Sequence, residues 1–295
     1  MIKVLLTGSN GQLGKTISLC KPENIDLITP KREDLDLSNF QQCKEFIYKL
    51  KPDWVINCGA YTQVDNAEKE YKLALKINAD APKAFSEALK INGGNLLQIS
   101  TDFVFNGKSN TPYQVNDARN PINKYGFTKL VGEEFVEKIL EPEGQSIILR
   151  TSWVISPFGK NFLLTMLNLH KTKEYINVVS DQIGCPTSTF TLAKVCWKLI
   201  IMKMNNTNFP KKFHYSDSGT ASWYDLALEI GEIAEKYSLI KKQSFVKPIK
   251  TIDYPTPASR PNFSLLDSSE TNKILGLKEI HWRYALKDIL KKLVK

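Results

Sequence analysis

The sequence predicts an α/β protein: a doubly wound parallel sheet with a second, smaller lobe. Three observations predict it. Short apolar runs alternate with helical patterns through the first half of the 295 residues. A glycine-rich segment, Gly8-x-x-Gly11-x-x-Gly14, stands directly after the first apolar run. After about residue 152 the alternation loosens and the loops become proline-rich. Parallel strands need a crossover, usually helical, so strict alternation argues for a parallel sheet with helices on its faces.

The elements follow in order. Ile2–Leu6 reads as a buried strand, and Gly11–Cys20 as the helix after it. Ile25–Ile28 is a second strand. Ser38-Asn39-Phe40-Gln41 reads as a capping box, and its helix puts Phe40, Cys43, Phe46, Ile47 and Leu50 on one face. Trp54–Asn57 is a third strand. Leu73, Ile77, Ala81, Ala84, Ala88 and Ile91 recur at helical spacing. Pro82 inside that pattern predicts a break, or a new helix start capped by Asp80. Asn95–Ile99 is a fourth strand and Ile147–Leu149 a later one. Helical stretches return around Asn161–Leu169, Thr191–Ile201, Tyr224–Lys236 and Tyr284–Leu293. This is a Rossmann-type pattern, in which ligands bind beyond the carboxyl ends of the strands. Gly8, Cys58-Gly59-Ala60 and Ser100-Thr101 each follow a strand.

The glycine turn has a physical reading. Gly8 permits a tight bend, Gly11 lets the backbone approach a pyrophosphate, and Gly14 lets the helix pack close to the strand. The helix N-terminus then offers free N–H groups and partial positive charge. The reading divides the chain into a dinucleotide-binding domain, 1–152, with a returning segment near 188–203, and a substrate-binding lobe formed mainly by 153–187 and 204–295. The second strand runs into Thr29-Pro30-Lys31-Arg32, with no acid to hold a ribose 2′-hydroxyl. Lys31 and Arg32 are either solvated or accept a 2′-phosphate. NADPH is the expected cofactor, with NADH left open, and Asp36-Leu37 falls near the adenine.

Tyr125 and Lys129 are four residues apart, so a helix presents both on one face. A free phenol has a pKa near ~10, and a nearby ammonium lowers it. Thr101, just past the fourth strand, is placed to hydrogen-bond the reacting oxygen and tune Tyr125. Its plain structural alternative is a cap at the strand end. Together the glycine turn and the Tyr–Lys pair point to a nicotinamide-dependent reductase.

Composition excludes other classes. The net charge of +9 suggests nucleic acid, but the lysines are scattered and no basic block exceeds two residues. A solvated surface, or a mild field favouring polyanionic small molecules, fits better. No apolar run approaches the ~18–20 residues of a membrane span. Ile2–Leu6 is too short for a signal-peptide core, so a cytoplasmic protein is expected. Five scattered cysteines and three distant histidines give neither a disulfide framework nor metal-ligand spacing.

These motifs resemble the extended short-chain dehydrogenase/reductase family. The likeness rests on the glycine turn, Asn57–Glu68, Ser100–Phe105, Tyr125-x-x-x-Lys129, Arg150–Val154, Asp181–Thr187 and Pro257–Pro261, in order from Met1 to about Leu293. It implies that NAD(P)H reduces the 4-keto group of dTDP-4-dehydro-L-rhamnose to give dTDP-L-rhamnose. By position it makes Tyr125 the proton donor, Lys129 its partner and ribose ligand, and Thr101 the tuning hydroxyl. Thr101 and Asp102 would contact the sugar, Trp153 would lie against the substrate, and Arg260 would meet its diphosphate. Gly11, Gln12, Leu13, Asp36, Leu37, Ala60, Tyr61, Thr62 and Ser100 would line the cofactor. The resemblance also implies Mg²⁺, mainly at a dimer contact, although no compelling ligand cluster is visible; a homodimer is left open. Cys58-Gly59 and Tyr61 depart from the residues the family often carries there. Two rivals stay open: an epimerase or dehydratase that retains NAD, which Asp102 beside Thr101 keeps alive, and a non-catalytic NADP-binding regulatory subunit.

Overall fold

Five strands from the first half of the chain and one from the second form a single parallel sheet in the computed structural model, which describes residues 1–206 and 209–294. The first half runs β1 (Ile2–Thr7), α1 (Gln12–Leu19), β2 (Ile25–Ile28), α2 (Phe40–Leu50), β3 (Trp54–Asn57) and α3 (Val64–Ala67). It continues with α4 (Tyr71–Leu75), a π-helical turn (Lys76–Asp80), α5 (Ala81–Asn92), β4 (Asn95–Thr101), a 3-10 turn (Asp102–Val104), α6 (Lys124–Leu140) and β5 (Ser146–Thr151). The second half holds β6 (Val154–Ile155), α7 (Phe162–Thr172), β7 (Tyr175–Val179), β8 (Ile183–Gly184), β9 (Thr187–Ser188) and α8 (Thr189–Met204). Then come β10 (Lys212–His214), β11 (Ala221–Ser222), α9 (Trp223–Lys236), β12 (Phe245–Ile249), α10 (Ser269–Leu275) and α11 (Trp282–Lys291).

The sheet order is β2-β1-β3-β4-β5-β10, and every pairing is parallel. Every residue of β3 and β5 is buried, which is why these strands read as unbroken runs. Alternate side chains serve opposite faces. Val4, Leu6, Ile56 and Leu97 join α1 and α8 in one core. Leu5, Val55 and Leu96 join α2, α5 and α6 in the other. The chain places β2 on one side of β1 and β3 on the other. The carboxyl ends of β1 and β3 therefore flank a crevice that no crossover covers.

Four expectations need correction. Asn39, not Ser38, caps α2: its Oδ1 accepts from Gln42 N at 3.1 Å. Ser38 is held by Asp36 instead, donating through Oγ at 2.9 Å and through N at 3.0 Å. Pro82 does not break the helical run, and Asp80 is helical and caps nothing. The chain passes from α4 to α5 through the π turn. Pro82 has no N–H to give Asn78 O, and that carbonyl faces Gly132 of α6, where a Cβ would stand 2.2 Å away. Ile91 points outward. Finally, the return into the first core is larger than 188–203: α8 is joined there by Phe213 of β10, Tyr215 and Leu275 of α10. Residues 207, 208 and 295 of the 204–295 stretch lie outside the described residues. A second core forms around Leu163, Met166, Ile176, Leu226, Ile230, Val246 and Leu286. Among the described residues, no helix is long and apolar enough to cross a membrane.

Candidate active site

A cleft of about 820 Å³ opens at the carboxyl ends of β1, β3, β4 and β5, with the second lobe as its far wall. Its floor is the glycine turn. Gly8 has φ +65°, and a Cβ there would come within 2.7 Å of Gly59 N. A Cβ at Gly14 would meet Gly8 O at 2.2 Å, and one at Gly59 would meet Leu37 Cδ1 at 2.2 Å. The two strand ends are tied by Thr7 Oγ1, which donates to Asn57 Oδ1 at 2.5 Å and accepts from Gly59 N at 3.1 Å. Helix α1 begins at Gln12, and Gly11 before it supplies no side-chain cap, so the first N–H groups of the helix are offered to the cleft. Side-chain-free backbone beside an uncapped helix N-terminus fits a dinucleotide pyrophosphate.

The cleft is lined by Gly8, Gly11, Gln12, Leu13, Gly14, Asp36, Leu37, Ala60, Thr62, Ser100, Thr101, Asp102, Tyr125, Lys129, Trp153 and Arg260, all expected. Two expected residues are not brought to it. Lys31 pairs outward with Glu33 at 3.4 Å, because its peptide begins a turn in which its carbonyl accepts from Asp34 and Leu35 N–H groups. Arg32, one residue on, takes the wall position. Tyr61 turns its hydroxyl to Glu70 and its ring into a small core with Tyr125 and Ile77. Its backbone is pinned by Asn78, whose Oδ1 accepts from Tyr61 N at 2.9 Å and whose Nδ2 donates to Tyr61 O at 3.0 Å. Asn78 is a supporting residue the sequence did not reveal, because it acts through the π turn.

Asn123 caps α6, accepting from Gly126 N at 2.8 Å, and so sets Tyr125 in the first turn. Gly126 lets that turn approach the 3-10 segment, since a Cβ would stand 2.1 Å from Phe103 O. One turn on, Lys129 is buried and donates through Nζ to Ile99 O at 2.7 Å. Burial pushes the Tyr125 phenol up to about 12; the Thr101 hydroxyl opposes this and the Asp102 carboxylate adds to it. The expected lowering by Lys129 does not prevail, because burial outweighs it. Burial brings Lys129 down from 10.5 to about 8, against the pull of Glu133 one turn further along. Glu133 is held by Arg150 (2.8 Å) and Arg119 (2.8 Å). Burial raises Asp102 to about 6, while Thr101 Oγ1 donates to its Oδ1 at 3.0 Å. Its buried Oδ2 has no hydrogen-bond partner.

The far wall is aromatic. Trp153, at φ +46°, stacks on Trp223 with ring centroids 3.6 Å apart and planes 5° apart. A non-glycine residue at such an angle persists only where its surroundings fix it. Phe162 leans on Trp223 at 4.7 Å. Trp223 and Phe162 line the cleft unforeseen, and nothing in their local spacing signals it. Arg260 is clamped by Asp65 of α3 through both carboxylate oxygens, at 3.0 and 2.7 Å. Among the described residues, no three His, Cys, Asp or Glu side chains stand together to hold a metal.

A dinucleotide cradle at the switch point, facing a tyrosine and lysine one helical turn apart, defines a nicotinamide-dependent oxidoreductase of the extended short-chain dehydrogenase/reductase class. Within it, the model described as RmlD substrate binding domain matches residues 2–295, and the chain belongs to that family. It is 34% identical over 295 residues to the dTDP-4-dehydrorhamnose reductase of Aggregatibacter actinomycetemcomitans, covering 98% of each chain. It is 36% identical to the spore coat polysaccharide biosynthesis protein SpsK of Bacillus subtilis, covering 98% of this chain and 97% of that one. Among solved structures, a dTDP-4-dehydrorhamnose reductase from Clostridium acetobutylicum superposes with TM-score 0.89 at 38% identity, covering 99% of each chain. One from Bacillus anthracis, in complex with NADP, gives 0.89 at 34% identity, covering 99% of this chain and 100% of that one.

Proposed function

We propose that this protein reduces the 4-keto group of dTDP-4-dehydro-L-rhamnose with NADPH, giving dTDP-L-rhamnose. The observation that carries the reading is that Tyr125, Thr101 and Lys129 line one wall of a cleft floored by the glycine turn. The reduced nicotinamide, when bound, supplies hydride to the ketone carbon. Tyr125 Oη donates a proton to the sugar oxygen as negative charge develops there. A phenol near 12 is fully protonated at neutral pH, as an acid in the reducing direction must be. Thr101, whose Oγ1 donates to Asp102, stands beside that hydroxyl and tunes it. Lys129 holds the helix against β4 and presents positive charge to the cofactor ribose. Gly8, Gly11, Gln12, Leu13 and Gly14 cradle the pyrophosphate, and Ala60, Thr62 and Ser100 flank the nicotinamide end. Asp36 and Leu37 meet the adenine.

Arg32 on the cleft wall, with no acid at the end of β2, supports NADPH over NADH. The stacked pair Trp153–Trp223 gives the nucleotide sugar an apolar wall, and Asp102 reaches its ring hydroxyls. Arg260 serves the diphosphate with whatever donors its clamp to Asp65 leaves. A second reading, dehydration or epimerisation with retained NAD, has one observation in its favour: Asp102 is a buried acid poised near 6 beside Thr101.

The test is spectrophotometric NADPH and NADH oxidation over a small panel of nucleotide keto sugars. Turnover with dTDP-4-dehydro-L-rhamnose, faster with NADPH, is the expected result. No oxidation by any keto sugar, together with NAD that co-purifies and resists dialysis, would establish the second reading instead.

A further inference from the structure

We infer that Lys160 is the cation that neutralises the cofactor's pyrophosphate, delivered by the second lobe onto the glycine turn of the first. This rests on the reading that the cleft binds a nicotinamide dinucleotide. Lys160 stands in the loop 156–161, between β6 and α7. That loop is fastened to Gln12, the first residue of α1. Gln12 Oε1 accepts from Ser156 Oγ at 3.2 Å and from Asn161 Nδ2 at 2.9 Å. Gly159 lies against the same side chain, its Cβ position 3.4 Å from Gln12 Cγ. One turn along α1, the Lys15 ammonium sits over the Phe158 ring at 5.8 Å.

The loop is also closed on itself. Asn161 Nδ2 donates to Ser156 O at 2.9 Å and to Phe158 O at 3.1 Å, while its Oδ1 caps α7 by accepting from Leu164 N at 3.0 Å. The Lys160 backbone is thus fixed on both sides by residues that touch the first turn of α1. It is an exposed residue of the cleft's lining, and its ammonium has no hydrogen-bond, ion-pair or ring partner among the described residues. The other cations on the cleft wall are engaged: Lys129 with Ile99 O, Arg260 with Asp65, and Arg32 with Asp36 at 4.0 Å.

A helix N-terminus supplies roughly half an elementary charge. A pyrophosphate diester carries more than that, and the glycine turn contributes only neutral N–H groups. Lys160 is the cation placed to supply the remainder, and the ties to Gln12 bring it there.

The experiment measures Kd for NADPH, NADH, ADP-ribose and dTDP on wild-type protein, Lys160→Ala and Lys160→Arg, by calorimetry or ligand fluorescence. Loss of one charge-assisted contact predicts about tenfold weaker binding of NADPH, NADH and ADP-ribose alike in Lys160→Ala. Lys160→Arg should restore most of it, and dTDP should bind all three proteins equally. Arg32→Ala is the contrast: it should weaken NADPH and spare NADH. Unchanged dinucleotide affinity in Lys160→Ala overturns the inference and leaves the proposed function standing. Loss confined to NADPH, or to dTDP, also overturns it by assigning Lys160 to the 2′-phosphate or to the substrate. Wild-type protein that binds no dinucleotide overturns the function and the inference together.

Discussion

On the proposed reading Tyr125 is the proton donor to the sugar oxygen. A phenol pushed up to about 12 stays protonated at neutral pH, and a developing alkoxide is basic enough to take its proton. Tyr125→Phe should lower kcat by about 10²–10⁴-fold. Its Kd for NADPH, read by fluorescence titration, should change little; equal turnover would remove Tyr125 from the mechanism. On the same reading Lys129 sets the alkaline limit. Its folded-state pKa is lowered to about 8, so its positive charge is present below that value and lost as pH rises through it. The profile of kcat/KM for the free enzyme should therefore fall above pH about 8, and a flat profile to pH 10 would exclude the ammonium. At this scale the sequence showed which residue types meet, because motif spacing reports backbone position. It did not show side-chain direction. Lys31 and Arg32 are neighbours in one turn, and only the turn's hydrogen bonds decide which of them faces the cleft. Nor did it show the sign of the Tyr125 shift, which burial decides.

Among the elements, the run from α4 to α5 links the fold to the site. Asn78, in its π turn, donates to Thr128 Oγ1 at 3.0 Å as well as holding both backbone groups of Tyr61. It thereby joins the loop after β3 to the helix that bears Tyr125 and Lys129. Asn78→Ala strands buried polar groups at roughly 1–3 kcal/mol each. It should lower unfolding stability by about 2–4 kcal/mol in denaturant titration and raise the Kd for NADPH. Unaltered stability and affinity would make the link incidental. Strands and most helices were legible here because their hydrophobic periods were clean. The π turn was not: a proline in a helical pattern signals a lost N–H, but whether the chain breaks or widens depends on what approaches from outside. Gly132 on α6 leaves room for the freed Asn78 carbonyl, and that contact lies 54 residues along the chain. The misplaced cap of α2 has a similar cause. Ser38 was a good capping residue that Asp36 had already taken.

Across the whole molecule, polar contacts hold the second lobe over the first. Asp65 of α3 holds Arg260 and also accepts from Ala258 N at 3.2 Å, and Asn123 Nδ2 donates to Ser259 O at 2.8 Å. Asp65→Asn should weaken that clasp, raising KM for the nucleotide sugar about tenfold while leaving the Kd for NADPH near wild type. A KM unchanged by the substitution would show that the clasp has no part in substrate binding. The sequence by itself determined the parallel sheet, the glycine cradle and the Tyr–Lys helix, because each is written in local periods and short spacings that backbone geometry converts directly into position. Only the tertiary structure decided which lobe owns β10 and α10, that Trp223 stacks on Trp153, and that Asp65 holds Arg260. Those pairings join residues distant along the chain. They are settled by which surfaces pack and which charges meet after folding, and no local pattern encodes that.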